Sequence, residues 1–173
     1  MKGSRMSGEF DKNLRKLAKL AGRFGVNIQP GQVLSLTAPT SAMPLARYVV
    51  DEAYRAGAAH VLPFFLDDHI SLAKYKYGSD EALDYAPDWM IEALAEQARS
   101  GKLARLGIYG DTPSLLAEQP SEKVARAGKA AATANRPLME AITTATNWSI
   151  VAAATPCWAA EVFPELPVDD AEK

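Results

Sequence analysis

The stretch Asn147 to Pro164, NWSIVAAATPCWAAEVFP, constrains this chain most. Trp148, Ile150 and Val151, followed by three alanines, form a short apolar run bounded by turn residues. Such a run reads as a strand buried on both faces. Thr155 then suits a helix N-cap, and Pro156 suits the first helical position, where its missing N–H costs nothing. Pro164 stops the short helix that follows. A strand therefore ends where a helix N-terminus opens. In an open α/β sheet that carboxyl edge is where ligands usually sit.

The same sequence of turn, strand and helix recurs upstream. Gln29-Pro30-Gly31 makes a turn, and Val33, Leu34 and Leu36 make a strand. Ser41 is placed to cap a helix from about Ala42 to Ala56, with Leu45, Val49 and Tyr54 inward and Gly57 at its end. Val61 to Leu66 is a second strand, and Pro63 marks it as an edge or irregular one. Strand, helix, strand over this length is a parallel crossover unit. Further along, Ile70 to Tyr77 and Trp89 to Ala98 read as helices, the latter with Trp89, Ile91, Leu94 and Ala95 partly inward. Residues 78–87 connect them. Arg105 to Gly110 is a third strand, and Asp111-Thr112-Pro113 repeats the pattern of a cap followed by proline. Ser121 to Thr143 reads as an alanine-rich helical region broken near Pro137, able to pack closely on a neighbour. Upstream of all these, Phe10, Leu14, Leu17, Ala21 and Phe24 fall on one helical stripe that Gly25 ends.

These elements predict an α/β fold, a mostly parallel sheet of about four strands with helices on both faces. Residues 10–164 form a single domain. Residues 1–9 read as a leader or tag-like segment, with Met6 as an alternative start. Residues 165–173, with Pro167 and four acidic residues, read as the start of an interdomain linker.

Several chemistries are tested by the residues themselves. A net charge of −2 gives no basic footprint for nucleic acid. Lys12, Arg15, Lys16 and Lys19 line the outer side of the first helix, where a solvated face is favoured over an anionic partner. No segment approaches the roughly 18 apolar residues of a membrane helix. Cys157 is the single cysteine, which rules out an intrachain disulfide and fits a reducing cytoplasm. It would need a base to act as a nucleophile, and none is close in sequence. Asp67-Asp68-His69 offers ligand types for a metal, but Asp before a helix more often caps it. Paired acids here do not follow the first strand, as a phosphoacceptor receiver would require. Gly107 and Gly110 lack the spacing of a nucleotide loop. His60 and His69 are the two histidines, separated by an apolar strand, and no His-Glu-x-x-His helix is present. Trp148 and Trp158 suit the core by their size, with a ligand-facing role as the alternative.

Asn147-Trp148-Ser149-Ile150-Val151, then Thr155-Pro156-x-Trp158-Ala159 and Val162-Phe163-Pro164, resembles the N-terminal domain of the thermophilic metallo-aminopeptidase family (aminopeptidase T and aminopeptidase S). Val26 to Gln32, Ala38-Pro39, Ala53-Tyr54-x-Ala56-Gly57-Ala58 and Ile108-Tyr109-Gly110-Asp111-x-Pro113 agree in order, so the resemblance covers roughly residues 10 to 165. It implies a two-domain exopeptidase that releases N-terminal residues from peptides. A cytoplasmic location is expected from the single cysteine, and a homodimer through close contact of the alanine-rich helix. A pair of divalent ions, zinc or cobalt, would be held by a C-terminal half outside this chain. The chain itself would supply no catalytic residue and no metal ligand. Its expected part is one wall of the substrate cavity, with Asn147, Trp148, Thr155, Pro156 and Trp158 as candidates. The alternative is a free-standing, non-enzymatic binding or assembly module of the same fold.

Overall fold

The computed structural model describes residues 8–110 and 112–166. Helix α1 (Gly8–Leu20) continues into a π-helical turn (Ala21–Gly25) and leads to strand β1 (Val33–Pro39). A short 3-10 turn precedes α2 (Met43–Arg55), and β2 (His60–Leu66) follows. Next come α3 (Asp68–Tyr77), α4 (Asp80–Asp84), α5 (Asp88–Arg99) and β3 (Leu103–Tyr109). The chain continues through α6 (Ser121–Ala145), β4 (Asn147–Ala152) and α7 (Pro156–Val162).

The four strands are all parallel, in the order β2-β1-β3-β4. The chain steps outward from β1 to β2, then returns past β1 to β3, so the direction of winding reverses between β1 and β3. Strands β1 and β3 lie between neighbours and read as near-continuous apolar runs, as central parallel strands must. On one face Leu34, Leu36, Leu106 and Ile108 pack against Leu14 of α1 and Val49 of α2. On the other, Leu103 packs against Ile91 and Ala95 of α5 and Ile142 of α6. Each of these large side chains, fully buried, contributes about 1.5–3 kcal/mol. The expected α/β class, the sheet of four strands and its two helical layers all stand.

Strand β2 is the edge strand that Pro63 predicts. Strand β4 is the other edge, which corrects the expectation of burial on both faces. Its burial alternates, and Trp148, Ile150 and Ala152 are exposed. Trp148 is 47% exposed and Trp158 36%, so neither belongs to the core. Trp89, at the start of α5, is 72% exposed, because Ile91, Ala95 and Ala98 take the inward stripe. Tyr54 is likewise outward, since Ala53 lies a helical turn beyond Val49 and fills that place. Phe24 leaves the apolar stripe because the helix widens there, with Val26 N–H donating to the Ala21 carbonyl five residues back.

Other local differences have equally direct causes. Ser41 does not cap α2; it lies in the 3-10 turn Thr40–Ala42, and Pro44 sits in the first turn of the helix. Helix α6 runs unbroken through Pro137. Proline removes one backbone bond there, while Leu138, Ala141 and Ile142 hold that half of the helix against α5 and the sheet. Thr112-Pro113 opens a series of tight turns closed by bonds such as Leu115 N–H to the Thr112 carbonyl, and no helix forms until Ser121. Ser79 caps the additional short helix α4 inside the 78–87 connection. Most of the leader and linker readings fall on residues 1–7 and 167–173, outside the described residues.

The amino ends of the strands are tied by paired amides. Asn147 Nδ2 donates to the Val26 carbonyl at 2.6 Å, the Asn27 carbonyl at 2.9 Å and Gln32 Oε1 at 3.1 Å. Gln32 Nε2 donates back to Asn147 Oδ1 at 2.8 Å and to the Gly101 carbonyl at 3.1 Å. Two side chains therefore link the segments that enter β1, β3 and β4. Asn147→Leu should lower unfolding stability by about 1–3 kcal/mol in urea denaturation, since it leaves the part-buried Val26 carbonyl without its donor. A change under about 0.5 kcal/mol would mean that the lock is idle.

Candidate functional site

An open parallel sheet offers its crevice at the carboxyl ends of the strands, where the winding reverses. Here that place lies between the exits of β1 and β3, flanked by those of β2 and β4. The β2 exit turns directly into α3. Asp67 Oδ1 accepts the Ile70 N–H at 3.1 Å, which makes Asp67 the N-cap. Thr40, from the β1 exit, donates its hydroxyl to Asp67 Oδ2 at 3.3 Å. Thr112, from the β3 exit, donates to Asp68 Oδ2 at 2.5 Å. The two carboxylates thus fasten three loops across the carboxyl edge. The Ile70 N–H above all holds the Asp67 carboxyl below its ordinary range; burial opposes it, and the Thr40 hydroxyl adds a lesser lowering.

The exits of β3 and β4 are joined more tightly. Thr155 is fully buried; its hydroxyl donates to the Gly110 carbonyl at 2.8 Å and accepts the Trp158 N–H at 3.4 Å. Ala153 N–H donates to the Tyr109 carbonyl at 2.7 Å. Gly110 is required by this closeness: a Cβ there would lie 2.5 Å from Thr155 Cγ2 and 3.1 Å from the Ala153 carbonyl oxygen. Thr155 caps α7 as expected and Pro156 follows in its first turn, which places Trp158 at the carboxyl edge, partly exposed.

The candidate residues do not all converge. Thr155, Pro156 and Trp158 stand together on the β4 exit. Trp148 lies earlier in the strand on its exposed side, and Asn147 sits at the opposite, amino end, committed to its amide pair. Sequence reasoning did not find Thr40 or Thr112 as partners of the paired acids, because only the fold brings residues so distant in sequence together. Among the described residues, no three of His, Cys, Asp or Glu converge as a metal site would need. Asp67 and Asp68 are occupied as a cap and a loop tie, and His60 and His69 lie at opposite ends of β2. These residues do not fit a divalent metal. Cys157 is exposed, at the start of α7.

Among the described residues, surface grooves also lie away from this edge. One, of about 300 Å³, runs between α1 and α2 beside Lys12, Lys16 and Lys19. Its other cations are largely answered: Arg15 pairs with Asp11 and lies 4.1 Å from the Tyr48 ring centroid, and Glu52 receives Arg23 and Arg55. That matches a solvated face. Another, of about 600 Å³, is lined by Asp84, Asp88, Arg126, Lys129 and Thr133, with Arg126 held by Asp80 and Asp84.

A family model described as thermophilic metalloprotease (M29) matches residues 10–173. Aminopeptidase T of Thermus thermophilus is 43% identical over 163 residues, which are 94% of this chain and 40% of that protein. Aminopeptidase 2 of Geobacillus stearothermophilus is 37% identical over 163 residues, 94% of this chain and 39% of its own length. A solved structure of wild-type AmpT from Thermus thermophilus superposes with a TM-score of 0.88 at 42% identity, covering 94% of this chain and 41% of that one. The chain thus spans about 40% of the length of the curated relatives it matches.

Two measurements check the carboxyl edge. Gly110→Ala should destabilise by about 1–3 kcal/mol through overpacking against Thr155. Gly128→Ala, where a Cβ meets nothing within 4 Å, should stabilise α6 by about 0.5–1 kcal/mol. Equal effects of the two would contradict the tight exit. The Asp67 carboxyl should titrate below the ordinary aspartate range in an NMR pH series. Because its folded value is depressed, its contribution is full above the unfolded value and is lost as pH falls through the folded one. Asp67→Asn should therefore flatten the acid limb of the stability profile.

Proposed function

The chain belongs to the thermophilic metalloprotease (M29) family, and we propose on that premise that it forms the N-terminal, non-catalytic part of a metal-dependent aminopeptidase. The observation that carries this reading is the lopsided coverage. Relatives named as aminopeptidases match 94% of this chain with only about 40% of their own length. On this reading the zinc or cobalt ions are held by polypeptide outside residues 1–173.

This chain's contribution is then shape. The β4 exit forms one wall of the cavity that admits a peptide. Trp158 offers the contact surface, while Thr155 and Pro156 fix the turn that presents it. Trp148, earlier in the strand, backs the wall from behind, and Asn147 acts from the far end by holding β4 in register. An apolar and aromatic wall favours short, unfolded peptides, whose side chains are free to touch it. We take the complete enzyme to be a cytoplasmic homodimer.

The test is hydrolysis of leucyl peptides with added zinc or cobalt, by this chain and by the product of the whole reading frame beyond Lys173. The complete product should turn over, and the 173-residue chain alone should not. Turnover by the chain alone, or a reading frame that stops at Lys173, would contradict the proposal; the latter outcome leaves the binding-module reading. In the complete enzyme, Trp158→Ala should change the ratio of kcat/KM between peptides by about tenfold, the value of about 1.4 kcal/mol of contact. Unchanged ratios for every peptide would remove Trp158 from the wall.

A further inference from the structure

One half-face of the sheet is left bare by the way α6 is held. Arg105 pairs across strands with Trp148, Gly107 with Ile150, and Tyr109 with Ala152, so these residues share one side of the β3–β4 ribbon. Trp148, Ile150 and Tyr109 are 47%, 55% and 46% exposed. The Tyr109 ring lies over Gly107, where an added Cβ would come within 3.1 Å of it and 3.8 Å of Ile150, so the surface is continuous. Helix α6 covers only the amino end of this side, through Leu138, Ala141 and Ile142 beside Leu103. Its first half is drawn toward α3 and α4: Arg126 grips Asp80 at 2.5 Å and Asp84 at 2.6 Å, and Lys123 donates to the Tyr75 carbonyl. Arg105, half-buried at the margin of this face, touches Met139 Sδ at 3.8 Å. Among the described residues, no carboxylate pairs with it.

We propose that this face, Tyr109, Trp148 and Ile150 with Arg105 at its margin, is the seat of the polypeptide outside residues 1–173, which meets it with an apolar surface bearing a carboxylate opposite Arg105. The inference rests on the reading above that the chain is part of a longer protein, and it specifies where the rest docks. Relatives carry about 60% of their length beyond the matched part, since the match covers 40% of them, so a large occupant is available. An apolar patch rimmed by a polar group is the usual mark of such a contact. A second copy fits less well. A two-fold contact sets the patch against itself, and this patch brings a guanidinium without an acid. A half-buried guanidinium whose protein partner is only the weakly accepting Met139 sulfur, with no acid among the described residues, favours a carboxylate from a different surface.

Hydroxyl-radical footprinting of the full-length protein tests this. Tyr77, 83% exposed, and Trp89, 72% exposed, serve as internal references. Tyr109 and Trp148 should label at least fivefold more slowly than those references at every protein concentration. Arg105→Glu should raise Trp148 labelling severalfold, while Arg105→Lys preserves protection. Labelling of Tyr109 and Trp148 at the reference rates overturns the proposal, as does protection that vanishes when subunits dissociate on dilution, which would identify a second copy. Protection unchanged in Arg105→Glu overturns the carboxylate. The same sample is assayed on leucyl peptides: activity with a bare face overturns this inference alone, while a protected face without activity overturns only the aminopeptidase reading.

Discussion

The parallel pairing of β3 with β4, from Ala104–Asn147 to Tyr109–Ala152, is the contact on which the rest of the structure depends. It is fixed at both ends by side chains that have little freedom. At the amino end the amides of Asn147 and Gln32 bond each other and the backbone that enters β1. At the carboxyl end Thr155 bonds the Gly110 carbonyl in a space too small for any side chain at position 110. A slip of one residue would turn every side chain of β4 to the opposite face. It would also move α7, and with it Trp158, away from the carboxyl edge. Register, cap and aromatic placement are therefore one property.

The consequence is an asymmetric domain. The side of the sheet under α1 and α2 is closed, with Leu34, Leu36, Leu106 and Ile108 buried. The side under α5 and α6 is closed only toward the amino ends of the strands. Apolar area left in water forgoes stabilisation on the order of 25 cal/mol per Å². A tryptophan, a tyrosine and an isoleucine left together on one half-face are hard to explain by the stability of residues 1–173 alone. They make sense in a larger assembly, as the length of the relatives suggests.

Much of this was legible in the sequence, and the failures have a common origin. Val33 to Leu36 and Val61 to Leu66 announced strands because an apolar run between turn residues leaves few alternatives, and Pro63 correctly marked an edge. A cap at Asp67 or Asp68 and one at Thr155 were readable because such bonds to the backbone are local, and the structure gives the first to Asp67. What the sequence hid was which apolar residues would stay uncovered. Trp148, Trp158 and Trp89 have the composition of core residues, and only strand order and helix placement decide that none is buried. Tyr54 and Phe24 missed the inward stripe for smaller reasons, a neighbouring alanine in one case and a widened helical turn in the other. The ties from Thr40 and Thr112 to the paired acids span 27 and 44 residues, beyond any local pattern.

The central claim is a division of labour: residues 1–173 shape and scaffold, and the metal chemistry is carried elsewhere in the polypeptide. Equilibrium dialysis against zinc or cobalt, followed by elemental analysis, tests it most directly when applied in parallel to this chain and to the complete protein. The account predicts that tightly held metal is recovered with the complete protein alone. Stoichiometric metal retained by residues 1–173 on their own would contradict it.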